Sequence, residues 1–128
     1  MPRIEHVALW THDLERARAF WERYLGARAG ERYENPTSGF ASYFLTVGDG
    51  TRLELMQLAA IPSGAAPEQR TGWAHVAVSL GSEARVDELT AELARAGHRV
   101  LDGPRRTGDG YYESVVLDPD GNRIELTV

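Results

Sequence analysis

The sequence predicts an α+β fold built from two copies of one βαβββ module. The prediction rests on two repeated motifs and on the order of the elements between them. The tetrapeptide His-Val-Ala-Leu at residues 6–9 recurs 69 residues later as His-Val-Ala-Val at residues 75–78. Residues 49–55, Asp-Gly-Thr-Arg-Leu-Glu-Leu, recur 71 residues later at 120–126 as Asp-Gly-Asn-Arg-Ile-Glu-Leu. Since one helical pattern lies between the two motifs in each half, the same elements follow one another twice.

The first module contains one helix and one clear hairpin. Thr11 or Asp13 is expected to cap the helix, and Gly26 is expected to end it. Residues 40–47 and 51–58 have the pattern of two strands, and the turn between them contains two glycines. The apolar residues that give the helix its buried stripe are Leu14, Ala17, Phe20, Trp21, Tyr24 and Leu25.

The second module repeats this organisation. Gly97 stands where Gly26 stands in the first module, directly after a helical pattern. Residues 111–117 and 122–128 are predicted to form the closing hairpin. Residues 105–110 read as a mobile, glycine-containing loop that could act as a lid. The buried stripe of the second helix is predicted to consist of Val86, Leu89, Leu93 and Ala96.

The chain is expected to form a single domain. Its modules are predicted at residues 1–58 and 73–128, with a connector rich in Ala, Pro, Gly and Ser at residues 59–72. A length of 128 residues with 42% hydrophobic residues is enough for one compact core.

Composition and charge exclude several functional classes. The net charge of -5 argues against a nucleic-acid partner, so a small-molecule substrate is expected. No apolar stretch is long enough to span a membrane and no signal-peptide pattern precedes the first strand, which predicts a cytoplasmic protein. The sequence contains no cysteine and no lysine, so thiolate and Schiff-base chemistry are excluded. Chemistry must come from histidines, carboxylates, hydroxyls or a metal ion.

The alternation of side chains along a strand places four polar residues on comparable faces. In each module the apolar neighbours of the His and of the Glu must face the helix, so His6, Glu54, His75 and Glu125 point to the opposite face. A single strand histidine or a single hairpin glutamate is more often a structural or solvated residue. The occurrence of both at matching positions of a repeat favours a shared metal site. Two imidazoles and two carboxylates suit Zn, Ni or Co, and also Mn or Fe.

At these motifs the sequence resembles the vicinal oxygen chelate superfamily, which includes glyoxalase I, methylmalonyl-CoA epimerase, fosfomycin-resistance proteins, extradiol dioxygenases and bleomycin-binding proteins. The resemblance covers essentially the whole chain. It is carried by residues 6–8 leading to Asp13-Leu14, by residues 75–77, and by the terminal Asp-Pro-Asp-Gly-Asn-Arg-Ile-Glu-Leu at 118–126. The resemblance implies two paired modules that form an open, half-barrel sheet around a central cavity, with a metal inside and commonly a homodimer.

Within this family the ligand pattern is closest to glyoxalase I. Fosfomycin-resistance proteins and extradiol dioxygenases use two histidines and one glutamate, which correspond here to His6, His75 and Glu125. The additional carboxylate of Glu54 resembles the four-ligand set of glyoxalase I, whereas the epimerase usually has glutamine there. The resemblance therefore implies a metal-dependent lyase or isomerase that acts through an enediolate, with Glu125 as the first candidate for the catalytic base and Glu54 as the second.

Three further residues are candidates for substrate binding. Glutathione-using glyoxalases of this short type have an arginine four residues after the first His and an asparagine four residues after the first Glu. Trp10 and Leu58 occupy those positions, and an apolar pair cannot replace a charge-assisted hydrogen bond. Another thiol adduct or a thiol-free hydroxycarbonyl is therefore expected as substrate. Tyr111 follows the glycine loop and is able to hydrogen-bond a ligand, although strand propensity explains it equally well.

The sequence leaves other functions open. The alternatives are a small-molecule binding or antibiotic-resistance protein, an accessory domain without chemistry, and a metal-dependent epimerase or dioxygenase. The sequence also leaves open the identity of the metal, and whether one site is completed within a chain or across a dimer.

Overall fold

The computed structural model describes residues 1–64 and 71–128. The chain divides into two compact units, Met1–Ser63 and Gly64–Val128. Of the predicted connector at 59–72, residues 65–70 lie outside the described part. The elements are β1 His6–Trp10, α1 Leu14–Leu25, β2 Arg28–Ala29, β3 Tyr33–Asn35, β4 Phe40–Thr46, β5 Arg52–Gln57, β6 Val76–Ser79, α2 Glu83–Arg95, β7 Val100–Arg106, β8 Tyr112–Leu117 and β9 Arg123–Thr127.

The sheet of the first unit has the strand order β1-β5-β4-β2, and the short strand β3 also pairs with β4. β1 and β5 run parallel, whereas β4 and β5 form the antiparallel hairpin that the sequence predicted. The first and the last strand of the unit are therefore neighbours.

Helix α1 is defined at both ends by its sequence. The Asp13 side chain accepts the backbone N–H of Arg16 at 3.0 Å, and the Gln57 side chain accepts that of Leu14 at 2.6 Å, so two of the free N–H groups at the helix start have partners. Gly26 ends the helix in the left-handed conformation, with φ 65°. The predicted stripe is confirmed, with Leu14, Ala17, Phe20, Trp21 and Leu25 buried and Tyr24 half-buried.

The second unit has the strand order β6-β9-β8-β7, and again its first and last strands, β6 and β9, run parallel. Ser82 caps α2 by accepting the Arg85 N–H at 3.2 Å. The buried residues of α2 are Val86, Leu89, Thr90 and Leu93.

The prediction for this second helix was wrong at one position. Ala96 is the exposed C-cap, and Thr90 is buried although it is polar. The Thr90 hydroxyl is satisfied by Val86 O at 2.6 Å and by the hydroxyl of Ser114 on β8 at 2.7 Å, which explains how it is buried without a loss of hydrogen bonds.

The predicted loop at 105–110 is shorter in the structure. Arg105 and Arg106 belong to β7 and pair with Glu113 and Tyr112, so only the turn from Thr107 onward connects the two strands. Thr107 N–H donates to Tyr111 O at 2.7 Å, which closes that turn.

The fold class is α+β, with two open mixed sheets and two helices, as the sequence predicted. The second unit has the order βαβββ. The first unit carries two short strands, β2 and β3, between its helix and its hairpin, where the module has one. Neither described helix has the length and apolarity that a bilayer crossing requires.

Candidate functional site

The parallel strand pairs place the candidate ligands in the same way in both units. In the first unit Ala8 on β1 lies opposite Glu54 on β5, and in the second unit Ala77 on β6 lies opposite Glu125 on β9. In each case the candidate histidine is two residues before the alanine. His6 is the first residue of β1 and therefore shares a face with Ala8, whereas His75 lies directly before β6. The sequence repeat is thus also a repeat of strand register.

The opposite face of each last strand is buried against its helix. Leu53 and Leu55 are 4% and 1% exposed, and Ile124 and Leu126 are 1% and 0% exposed. Both helices contact the last strand of their own unit. Burial of these leucines and isoleucine fixes the strand register, since a shift by one residue would turn the glutamates into the core.

Each unit brings its own histidine and glutamate together. His6 Nε2 lies 3.7 Å from Glu54 Oε1, and His75 Nε2 lies 3.2 Å from Glu125 Oε2. The imidazoles are 40% and 39% exposed, and the carboxylates 15% and 20%. Each pair is thus accessible to a ligand from solvent while its carboxylate is largely shielded.

These distances fit two ligands of one metal ion. Donor atoms bound at about 2.0–2.2 Å to one ion in roughly tetrahedral geometry lie about 3.0–3.7 Å apart. The donor types, an imidazole nitrogen and a carboxylate oxygen, are those that borderline divalent ions prefer. Within residues 1–64 and 71–128, no group of three or more His, Cys, Asp or Glu side chains forms a metal-binding cluster. Each unit, taken by itself, therefore contains one His–Glu donor pair.

The ring of His6 has a defined partner on each side. Its Nδ1 hydrogen-bonds the carboxylate of Glu5, and Glu5 also accepts a hydrogen bond from Arg52. The ring meets Phe44 edge-to-face with 5.2 Å between centroids, and the Arg52 guanidinium lies 4.3 Å over the same Phe44 ring. The hydrogen bonds from His6 and Arg52 hold the pKa of Glu5 below its usual value.

A third acidic residue shares the candidate face of the second unit. Val115 on β8 lies opposite Glu125, so Glu113, two residues earlier, points to the same side. The hydrogen bond between the carboxyl groups of Glu113 and Glu125 raises the pKa of Glu113 to about 7, burial and the charge of Glu125 act in the same direction, and Arg105 opposes them. The sequence prediction missed this residue, although the hairpin register around residues 118–121 would have placed it beside Glu125.

The three predicted substrate-binding residues have different surroundings. Trp10 is 43% exposed, lies on the same face as His6, and packs edge-to-face against Phe40 at 6.2 Å. Leu58 is half-buried directly after β5. Tyr111 is 58% exposed, and both its backbone groups are hydrogen-bonded to Thr107 in the turn before β8.

Comparison with known proteins identifies the family. The chain is 31% identical over 129 residues to the uncharacterised protein YqjT of Bacillus subtilis (strain 168), with 96% of each chain covered. It is 43% identical over 131 residues to the mitochondrial methylmalonyl-CoA epimerase of Bos taurus, and the alignment covers 97% of this chain and 73% of that protein. The trypanothione-dependent glyoxalase I of Leishmania major superposes with a TM-score of 0.79 at 25% identity, over 99% of this chain and 86% of that chain. The model of the Glyoxalase/Bleomycin resistance protein/Dioxygenase superfamily matches residues 3–126, and the chain therefore belongs to this superfamily.

Proposed function

We propose that the protein is a divalent-metal-dependent, glyoxalase I-like lyase or isomerase. Its substrate would be a small α-hydroxycarbonyl compound or a thiol-aldehyde adduct. The reaction removes a proton from the carbon beside a carbonyl and returns it to the neighbouring carbon through an enediolate. Zn, Ni or Co is the expected metal, with Mn or Fe as alternatives.

The observation that carries the proposal is the pair of ligand-like distances in the two units. His6 Nε2 is 3.7 Å from Glu54 Oε1, and His75 Nε2 is 3.2 Å from Glu125 Oε2. In the first unit the 3.7 Å separation is too long for a hydrogen bond, and a cation between the two atoms would compensate the charge of the largely shielded Glu54 carboxylate. Both pairs occupy the same register in their sheets, which supports one common role for all four residues.

The four residues would bind the metal ion, and one glutamate would also transfer the proton. His6 and His75 would hold the metal, together with the two glutamates. The bound ion would polarise the substrate oxygens and stabilise the negative charge that develops as the proton leaves. Glu125 would take the proton from one carbon and return it to the next, and Glu54 is the second candidate for this base.

Metal content is the first test. We expect purified protein loaded with Zn²⁺ or Ni²⁺ to bind one ion per chain, and His6→Ala or His75→Ala each to abolish that binding. Two ions per chain would mean that each pair binds its own ion. Binding that survives either substitution would contradict a shared four-residue site.

Turnover is the second test. We expect the loaded protein to isomerise hemithioacetals of methylglyoxal, and Glu125→Gln to lower kcat by at least about 100-fold. Glu34→Gln is a matched control, because Glu34 is an exposed strand carboxylate paired with Arg32. Full turnover in Glu125→Gln would refute the assignment of the base, and Glu54→Gln then tests the alternative.

The apolar residues near the site favour one chemical class of thiol over another. Trp10 and Leu58 favour an apolar group rather than the carboxylates of glutathione at this part of the site. We therefore expect adducts of methylglyoxal with an apolar thiol such as benzyl mercaptan to be better substrates than adducts with glutathione. The reverse order would contradict a substrate-binding role for these two residues.

Methylmalonyl-CoA epimerisation is a second candidate. It is favoured by the 43% identity to the bovine epimerase over almost the whole chain. Both reactions begin with loss of a proton beside a carbonyl, so the same bases serve either one. Assays of the loaded protein with each substrate distinguish them. Tight binding of an apolar compound without metal or turnover would instead favour the binding-protein alternative.

A further inference from the structure

The two histidines are equivalent by repeat but differ in what surrounds them. His6 is preceded by Glu5, whose carboxylate hydrogen-bonds the ring at Nδ1. The residue before His75 is Ala74, which has no side-chain acceptor. Phe44, which packs on the His6 ring, pairs with Glu54 in the first sheet. The residue that pairs with Glu125 in the second sheet is Val115, which has no aromatic ring.

Glu5 is itself held in place by a residue of another strand. Arg52 on β5 lies opposite His6 in the sheet and donates a hydrogen bond from its terminal nitrogen to Glu5. The same guanidinium lies 4.3 Å over the Phe44 ring, and that ring contacts His6. Glu5, Arg52, Phe44 and His6 thus form a closed ring of contacts, which restricts the rotation of the imidazole.

The contact at Nδ1 determines which nitrogen is available to a metal. A carboxylate accepts hydrogen bonds but donates none, so a neutral His6 ring must carry its proton on Nδ1. Its Nε2 lone pair is then free on the side where Glu54 Oε1 lies 3.7 Å away. Removal of such a partner typically weakens metal binding by about 10- to 100-fold, because the ring loses both its orientation and its preferred tautomer.

We propose that Glu5 is a positioning residue that fixes His6 in the Nδ1-protonated tautomer with Nε2 directed to the metal. Among residues 1–64 and 71–128, His75 has no corresponding carboxylate at its Nδ1. The part of the inference that concerns metal binding by His6 rests on the proposed function. The tautomer itself is a property of the metal-free protein, so it is testable separately.

The experiment compares wild type, Glu5→Gln, Arg52→Met and the control Glu34→Gln. An amide at position 5 is able to accept or donate, so it no longer selects one tautomer. Glu34 is also an exposed carboxylate bound to an arginine, at 2.7 Å from Arg32 Nε, but it has no histidine beside it. Long-range ¹H–¹⁵N NMR of the metal-free protein reports which imidazole nitrogen carries the proton. Competition with a chromophoric chelator gives the Kd for Zn²⁺ alone.

We expect His6 of the wild type to be protonated at Nδ1 and both tautomers to appear in Glu5→Gln, with the Kd for Zn²⁺ raised about 10- to 100-fold. Arg52→Met should shift both readouts in the same direction, and Glu34→Gln should change neither. Protonation of His6 at Nε2 in the wild type, or an unchanged Kd in Glu5→Gln, would overturn the inference. If the wild type binds no Zn²⁺, the proposed function fails, while the tautomer of His6 still decides the role of Glu5.

Discussion

The carboxyl group of Glu113 gives the metal-free protein a defined dependence of stability on pH. Contact with Glu125 raises the pKa of Glu113 to about 7, from 4.5 for an unperturbed glutamate. Between these values the folded state keeps a proton that the unfolded state releases. The free energy of unfolding therefore falls as pH rises from about 4.5 to about 7. The stabilisation by protonated Glu113 is complete only below about pH 4.5. We predict that Glu113→Gln removes this decrease in the free energy of unfolding.

The magnitude follows from the size of the shift. One pKa unit corresponds to about 1.4 kcal/mol, so the full difference would amount to about 3 kcal/mol. Glu113 is only half-buried, and solvent screening reduces the expected effect to on the order of 1 kcal/mol. Relative to wild type, the variant should gain about this much stability between pH 4.5 and pH 7.5.

Urea unfolding of the chelator-treated protein, followed by tryptophan fluorescence between pH 4 and pH 8, measures the difference between variant and wild type. Asp102→Asn is a control of opposite sign, because the hydrogen bond from Arg105 holds the pKa of Asp102 below its usual value. Because the Asp102 shift lies below pH 3.8, its variant should be less stable than wild type by an amount that stays constant between pH 4 and pH 8. A difference curve for Glu113→Gln that is flat from pH 4.5 to pH 7 would refute the coupling of the two glutamates.

Three further predictions concern packing and metal. Thr90→Val should cost about 1–3 kcal/mol because it leaves the buried Ser114 hydroxyl without its partner at 2.7 Å, and adding Ser114→Ala should recover part of the loss in a urea double-mutant cycle. Gly103→Ala should lower Tm strongly, since a Cβ there would lie 2.5 Å from Glu113 O at φ +78°, whereas Gly108→Ala meets open space and should be nearly neutral. Removing the metal with a chelator should lower Tm, and refilling at 100 times Kd should restore about 2.7 kcal/mol; an unchanged Tm would contradict binding to the folded state.

The sequence was sufficient for the elements with strong local patterns. The stripe of α1, its cap at Asp13 and its end at Gly26 all depend on residues close in the chain, and the structure confirms them. The facing of Glu54 and Glu125 away from the core followed from strand alternation, since leucines and isoleucine flank them on both sides.

Other features could not be read from local patterns. The strands β2 and β3 have two and three residues, too few for a period to be recognised. The last residues of β7, Arg105 and Arg106, are polar and follow Gly103-Pro104, so their sequence has the pattern of a loop. Their strand conformation depends on pairing with β8.

The residues that contact the candidate ligands were also not indicated by local sequence patterns. Glu5 hydrogen-bonds the adjacent His6 directly and is itself held by Arg52, which is 47 residues from Glu5 in the chain. No spacing rule connects Arg52 with Glu5. Glu113 was visible only as one polar residue in a strand, because its effect depends on the register of the hairpin that brings it to Glu125. The repeat predicts the four candidate ligands, and their use by one metal ion is part of the proposal.

The parallel pairing of the first and last strands also has a consequence for how the donors arise during folding. The histidine lies in the first strand of the first unit and directly before the first strand of the second, and each glutamate lies in the last strand. About fifty residues must therefore be closed into a loop before histidine and glutamate meet. The helix and the hairpin between them supply the buried side chains that offset this entropic cost. We therefore expect each His–Glu pair to form without a metal ion once its unit has folded, unlike the ligands of a zinc finger, whose ion drives folding. A chelated protein should accordingly keep both sheets and refold without metal.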